Sequence, residues 1–102
     1  MTLLGQDVLI AAGKRNKPLR TWLEEWAAVV VNVAWKSLGD VRQLYPSADG
    51  VTLASGTVVT VFNAKGNNNR LLTWIDYELQ VIEALAVITH AEYDKNLWKA
   101  RY

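Results

Sequence analysis

ELQVIEALAVIT, residues 78–89, is the stretch on which the fold turns. Its Glu, Leu and Ala residues favour a helix, whereas Val81, Ile82, Val87 and Ile88 are β-branched and sit better on a pleated sheet. The preceding segments settle the choice. Val51 and Leu53, the run from Thr57 to Phe62, and RLLTWIDY at residues 70–77 have the period and composition of strands, parted by the turns SG and NAKGNNN. A helix at residues 78–89 would leave those strands without a third partner, and a two-stranded sheet is marginal in water. The stretch is therefore read as a strand. The fold class that follows is α+β: helices first, then a small antiparallel sheet, then a short closing C-terminal helix.

Working outward, MTLL at residues 1–4 is a short strand candidate, and residues 6–15 form a short helix closed by the polar RNKP. From Pro18 the pattern strengthens. Leu19, Trp22, Leu23, Trp26, Val29, Val30 and Val33 follow the spacing of one helical face, while Arg20, Glu24 and Asn32 fall elsewhere. Pro18 suits a first helical turn, where its missing N–H costs nothing. This is read as the main helix, running to about Trp35. SLGDVRQLYP, residues 37–46, reads as a second helix with Ser37 as cap, Asp40 as capping-box partner and Pro46 as stop. SADG at residues 47–50 is a turn. Beyond the deciding stretch, Thr89 and Glu92 form another capping box, opening a short helix through Trp98.

A chain of 102 residues with 51% hydrophobic composition reads as one domain spanning residues 1–102 around a single core. A net charge of +1 excludes a histone-like field, so contact with nucleic acid must come from a local patch. No Cys and one His exclude a disulfide framework and a zinc site of thiolates or imidazoles, leaving only a carboxylate-bound magnesium open. No cofactor is expected. The apolar N-terminus has no basic residue before it and carries Asp7, so it reads poorly as a signal peptide. No run approaches the roughly 20 apolar residues of a membrane span. A cytoplasmic protein with no membrane partner is the simplest inference.

Polar groups gather where the elements end. KGNNNRLL at residues 65–72 and THAEYDKNLW at residues 89–98 hold Lys65, Arg70, Tyr93, Lys95, the one His and four Asn. DVRQLYPSADGV (residues 40–51), TVFNAKGNNNRLLTWIDY (60–77) and VITHAEYDKNLW (87–98), in this order and spacing, closely resemble the HigB-like toxins of bacterial type II toxin–antitoxin modules. These lie within the RelE superfamily of ribosome-dependent mRNA endoribonucleases. The resemblance covers nearly the whole chain, with its core from Trp35 to Trp98. It implies a small sheet wrapped by two N-terminal helices and cleavage of translated mRNA in the A site of the 70S ribosome. It also implies neutralisation by a cognate HigA-like helix-turn-helix antitoxin in a hetero-oligomer.

The chemistry of the residues is compatible with that expectation. Metal-free RNA cleavage needs an activated 2′-OH, cationic donors for the phosphorane, and a proton for the departing 5′-oxygen. Arg70 is the candidate phosphate clamp, because a guanidinium offers planar, paired donors. Lys65 supplies a second positive charge across the same loop. His90 carries the side chain suited to acid or base work near neutrality. Tyr93 stacks on a base or bonds the phosphate, with Lys95 adding charge nearby. Asn63, Asn67 and Asn68 either contact the ribose and base edges or shape the turn.

Plainer readings stand beside these. Arg70 could pair with Asp76 or Glu83 on the sheet surface, and a lone His at a helix start is commonly structural or solvent-facing. Trp22, Trp26 and Trp35 belong to the apolar stripe rather than to a stacking platform, while Trp74 and Trp98 are open. The basic run Lys14, Arg15, Lys17 and Arg20 is either a solvated surface or a contact for rRNA phosphates. Two positions depart from the resembled pattern. Asn69 stands where relatives often carry an aromatic residue, and Leu85 where superfamily members frequently place a basic residue in the last strand. Losing one charged donor costs about 2 to 4 kcal/mol in a transition state, roughly two to three decades of rate. A non-enzymatic protein of the same fold, binding ribosome or antitoxin without cutting, is therefore the alternative.

Overall fold

The computed structural model describes residues 1–65 and 68–102. In chain order the elements are β1 (Thr2–Leu4), α1 (Gln6–Gly13), α2 (Lys17–Val30), α3 (Leu38–Leu44), β2 (Asp49–Thr52), β3 (Val58–Ala64), β4 (Asn69–Asp76), β5 (Val81–Thr89) and α4 (His90–Asp94). A 3-10 turn at Leu97–Ala100 follows them. The α+β class holds, and the deciding stretch is a strand. β5 lies antiparallel to β4, from Asn69↔Thr89 to Asp76↔Val81.

The five strands form one sheet in the order β1-β5-β4-β3-β2. β1 pairs parallel to β5, Thr2 with Val81 through Leu4 with Glu83, so the sheet is mixed rather than antiparallel throughout. The long path through three helices and the β2–β5 meander allows this, since parallel neighbours need a long connection. α1 and α2 are the two long N-terminal helices, and α3 is a third short one ahead of the sheet. Gly5 makes the tight step from β1 to α1. Its φ of 78° is left-handed, and a Cβ there would lie 2.3 Å from the carbonyl oxygen of Ala84.

α2 begins as its sequence dictates. The Asn16 side chain accepts a hydrogen bond from Leu19 N at 3.1 Å, and Pro18 sits in the first turn. It ends at Val30, short of Trp35. Val29, Val30 and Val31 are poor helix formers, and the last carbonyls find other donors. Asn32 Nδ2 donates to Ala28 O at 2.8 Å, and the Met1 ammonium donates to Val30 O at 3.0 Å and Val33 O at 2.6 Å. In α3, Ser37 accepts from Asp40 N as expected, but the Asp40 carboxylate takes Lys36 N, so the reciprocal bond is displaced by one residue. β2 starts at Asp49, inside the stretch read as a turn. α4 ends at Asp94 rather than reaching Trp98, because Asn96 turns left-handed at φ 61° and a separate 3-10 turn follows.

The two faces of the sheet bury different clusters. The helical face holds Leu23, Trp26, Val30, Trp35, Phe62, Leu71 and Ile82, with Trp26 and Tyr45 edge-on to Phe62 at 5.4 and 5.3 Å. Trp26 and Trp35 are thus core, and Trp22 packs partly buried against Tyr45. The opposite face holds the smaller cluster of Leu53, Val59, Val61, Leu72 and Trp98, closed by α4 and the 3-10 turn. The polar end of that second face is the candidate site.

Candidate active site

Strand alternation aims Arg70 at the second face, in register with Asn63 on β3 and Ile88 on β5. Arg70 is only 6% exposed. A buried guanidinium is costly unless its donors are met, and here its surroundings are built to meet them. Nη1 donates to Asn69 O at 3.1 Å, and Nη2 stands 2.8 Å from His90 Nδ1. Its Cζ lies over the Tyr93 ring, 5.5 Å from the centroid, in cation–π contact. Tyr93 in turn stacks on Trp98, centroids 5.3 Å apart and planes 15° apart, and Trp98 Nε1 donates to Tyr93 O at 3.1 Å. Guanidinium, phenol and indole form one layered mount on the end of the sheet.

α4 supplies the other half. Thr89 and Glu92 complete the predicted capping box, with Thr89 Oγ1 accepting from Glu92 N and Glu92 Oε1 accepting from Thr89 N, both at 3.1 Å. Those bonds hold the exposed Glu92 carboxyl below its ordinary range. Because the helix starts there, His90 and Asp94 fall one turn apart on the same side, and His90 Nε2 lies 3.2 Å from Asp94 Oδ2. His90 N donates to Asn68 O at 2.9 Å, pinning α4 to the end of the β3–β4 hairpin. Burial raises the Tyr93 phenol, Asp49 and Asp94 raise it further, and Arg70 opposes them, so the hydroxyl stays protonated and can donate.

Of the residues singled out in the sequence, Arg70, His90 and Tyr93 come together. Asn63 is the cross-strand neighbour of Arg70, and Asn68 takes part through its backbone. Lys65 is exposed at the hairpin turn with φ 51°, and Lys95 is exposed at the end of α4. Asn67 lies outside the described residues. Asp76 is six residues along β4 from Arg70, about 20 Å at strand spacing, and Glu83 pairs with Trp74, four residues away. Neither reaches the guanidinium. Asp94 was not singled out beforehand; its only signal is the four-residue offset from His90 on a capped helix.

The basic run is split. Lys14, Arg15, Lys17 and Arg20 are all exposed around the α1–α2 junction. Arg15 lines a groove with Asn69, Leu85, Thr89 and Glu92, beside the site. Lys14 and Arg20 line another, between α1 and α2, and Arg20 Nε lies 3.7 Å from Glu24. Leu85 is the extra residue of a bulge, since Leu72 faces Ala86 and Thr73 faces Ala84, and it packs partly buried on the second cluster. Among the described residues, no three His, Cys, Asp or Glu side chains gather as a metal site would require.

No helix among the described residues is long and apolar enough to cross a membrane. A comparison with individually curated proteins finds no match. A family model for the HigB toxin, the RelE-like toxic component of a toxin–antitoxin system, matches residues 19–96, from the first turns of α2 past the end of α4. That span includes Arg70, His90, Tyr93 and Asp94, and with the α+β fold built around it the chain belongs to the HigB toxin family of RelE-like toxin–antitoxin components.

Proposed function

We propose that the protein is a ribosome-dependent endoribonuclease that cuts translated mRNA at the Arg70–His90–Tyr93 cluster. The observation that carries this reading is the guanidinium of Arg70, 6% exposed and fixed between His90 and the Tyr93 ring. A cation already seated in the cluster has only to turn from His90 to a bound phosphate, and it is then in place before charge develops there. In the reaction the 2′-oxygen attacks phosphorus and the bond to the 5′-oxygen breaks, leaving a 2′,3′-cyclic phosphate and a 5′-hydroxyl. Arg70 meets the charge on the non-bridging oxygens, and Lys65 on the hairpin turn adds to the field. His90 carries the proton once Arg70 has turned from it to the phosphate. Tyr93 supports the guanidinium, and its protonated hydroxyl donates at the rim.

Family membership implies an antitoxin partner. We take this partner to be a HigA-like helix-turn-helix protein in a hetero-oligomer with the chain, and the setting to be the cytoplasm, where the 70S ribosome and its A-site mRNA are found. A second reading, inhibition by binding alone, is favoured by Leu85, an apolar side chain in the last strand, where the resemblance to the RelE superfamily leads us to expect a basic residue. Adding purified protein to a reconstituted translation reaction and mapping mRNA 5′ ends by primer extension separates the two. In-frame ends that need both ribosomes and His90 are the expected result. Blocked translation with intact mRNA would establish the second reading.

A further inference from the structure

We propose that Asp94 is a positioning residue for this cleavage, setting the tautomer of His90 and, through it, the place of Arg70. The role in cleavage rests on the nuclease reading above; the tautomer does not. A guanidinium has donors only, so His90 Nδ1, 2.8 Å from Arg70 Nη2, must present its lone pair. The single proton of the neutral ring is then on Nε2, which lies 3.2 Å from Asp94 Oδ2. Cation and carboxylate favour the same tautomer from opposite sides of the ring, and without the carboxylate the ring is held by Arg70 alone, a contact that a turn of the guanidinium gives up. The backbone is fixed as well, by His90 N on Asn68 O and by the Thr89–Glu92 cap.

Two consequences follow for the reaction. In the free protein the Nδ1 lone pair holds Arg70, and a proton on Nδ1 would face the guanidinium, so the contact and the imidazolium exclude each other. When a phosphate draws Arg70 away, the same lone pair is left facing the site. The 2′-OH proton then moves to Nδ1, the 2′-oxygen bonds to phosphorus, and the imidazolium, balanced by Asp94, returns that proton to the departing 5′-oxygen. A carboxylate on one ring nitrogen that orients the other as a base is a recurrent arrangement in hydrolases. Nearby charges leave this pairing intact. Glu92 is engaged by its own cap, Lys99 lies over Trp98, and Asp49 acts with Arg70 and Asp94 on the Tyr93 phenol.

His90 is the one His of the chain, so its ring nitrogens give unambiguous signals in long-range proton–nitrogen spectra of labelled protein. At a pH where the ring is neutral, the parent should show the Nε2–H form alone. Asp94→Ala should show a mixture of both tautomers. It should also cut ribosome-bound mRNA about 10- to 100-fold more slowly in single turnover, with ribosome binding unchanged. A parent ring protonated at Nδ1, or already mixed, overturns the proposal. So does an Asp94→Ala variant with the parent's spectrum, or one with a mixed spectrum and the parent's cleavage rate. A parent that cuts nothing overturns the function proposed above, and the spectrum still decides whether Asp94 sets the ring.

Discussion

Arg70, Tyr93 and Trp98 form a column in which each side chain fixes the next, and the lowest member does most for stability. Trp98 is 5% exposed and belongs to the second cluster. Trp98→Ala should therefore cost about 3 to 5 kcal/mol, measured as a shift in urea unfolding, because it removes a large buried ring and leaves a cavity. A cost below about 1 kcal/mol would show that the second cluster is not a core. At this scale the sequence was informative about residue types with few alternatives. The one His, an Arg opening a strand and a Tyr one turn into a helix stand out by type, and the structure brings the three together. Asp94 is missed by residue type alone, because its signal is a spacing, the four-residue offset from His90 on the helix that Thr89 caps. Asp76 and Glu83 stayed open as partners of Arg70 for the same reason, since distance along a strand becomes decisive only with the register.

α4 has only five residues, too few to hold its shape by propensity alone, so its cap matters more than the helix does. Thr89→Ala should cost about 1 kcal/mol. It should lower cleavage by more than that loss of folded protein explains, since His90, Tyr93 and Asp94 all ride on the helix. Comparing melting curves with single-turnover rates checks this, and equal losses would refute it. The cap is also pH-sensitive. Hydrogen bonds from the Thr89 backbone and side chain lower the Glu92 carboxyl below 4.5 in the folded chain. Its contribution is therefore present above that value and is lost as the pH falls through the lowered one. Chemical shifts of residues 90–94 should report fraying on acidification, and Glu92→Gln should flatten the response.

Elements were legible where two signals agreed. The start of α2, marked by Pro18 and the apolar stripe from Leu19, and the Thr89–Glu92 box both match the sequence, whereas the Asn16 cap is seen only in the structure. Ends were harder, because what stops α2 is the Met1 ammonium reaching Val30 O and Val33 O, a contact across about thirty residues that no local pattern announces. The parallel pairing of β1 is of the same kind. Three residues of strand can add to either edge, and only the packed helices decide which.

For the molecule as a whole, the near-neutral charge makes any attraction to the ribosome a matter of local patches. The exposed run at the α1–α2 junction is one such patch, and Arg15 continues it along the groove toward Thr89. Replacing Lys14, Arg15 and Lys17 by Gln should weaken ribosome binding and reduce the slope of log affinity against log salt by about 2 to 3. The fold and the His90 ring signals should stay unchanged. An unaltered slope would return the run to the role of plain solvated surface. Helices, meander and terminal turn all serve to bring one hairpin and one short helix to the same end of the sheet, where we propose the phosphate is held.

Arg70 is proposed to meet the charge of the transition state, and a single-turnover rate reads out that role. Saturating protein would be added to ribosomes stalled on a defined mRNA, with cleavage followed in time for the parent and for Arg70→Ala. A loss of about two to three decades in rate is expected for Arg70→Ala, with ribosome binding retained. Equal rates in the two proteins would contradict it and move the chemistry away from this cluster.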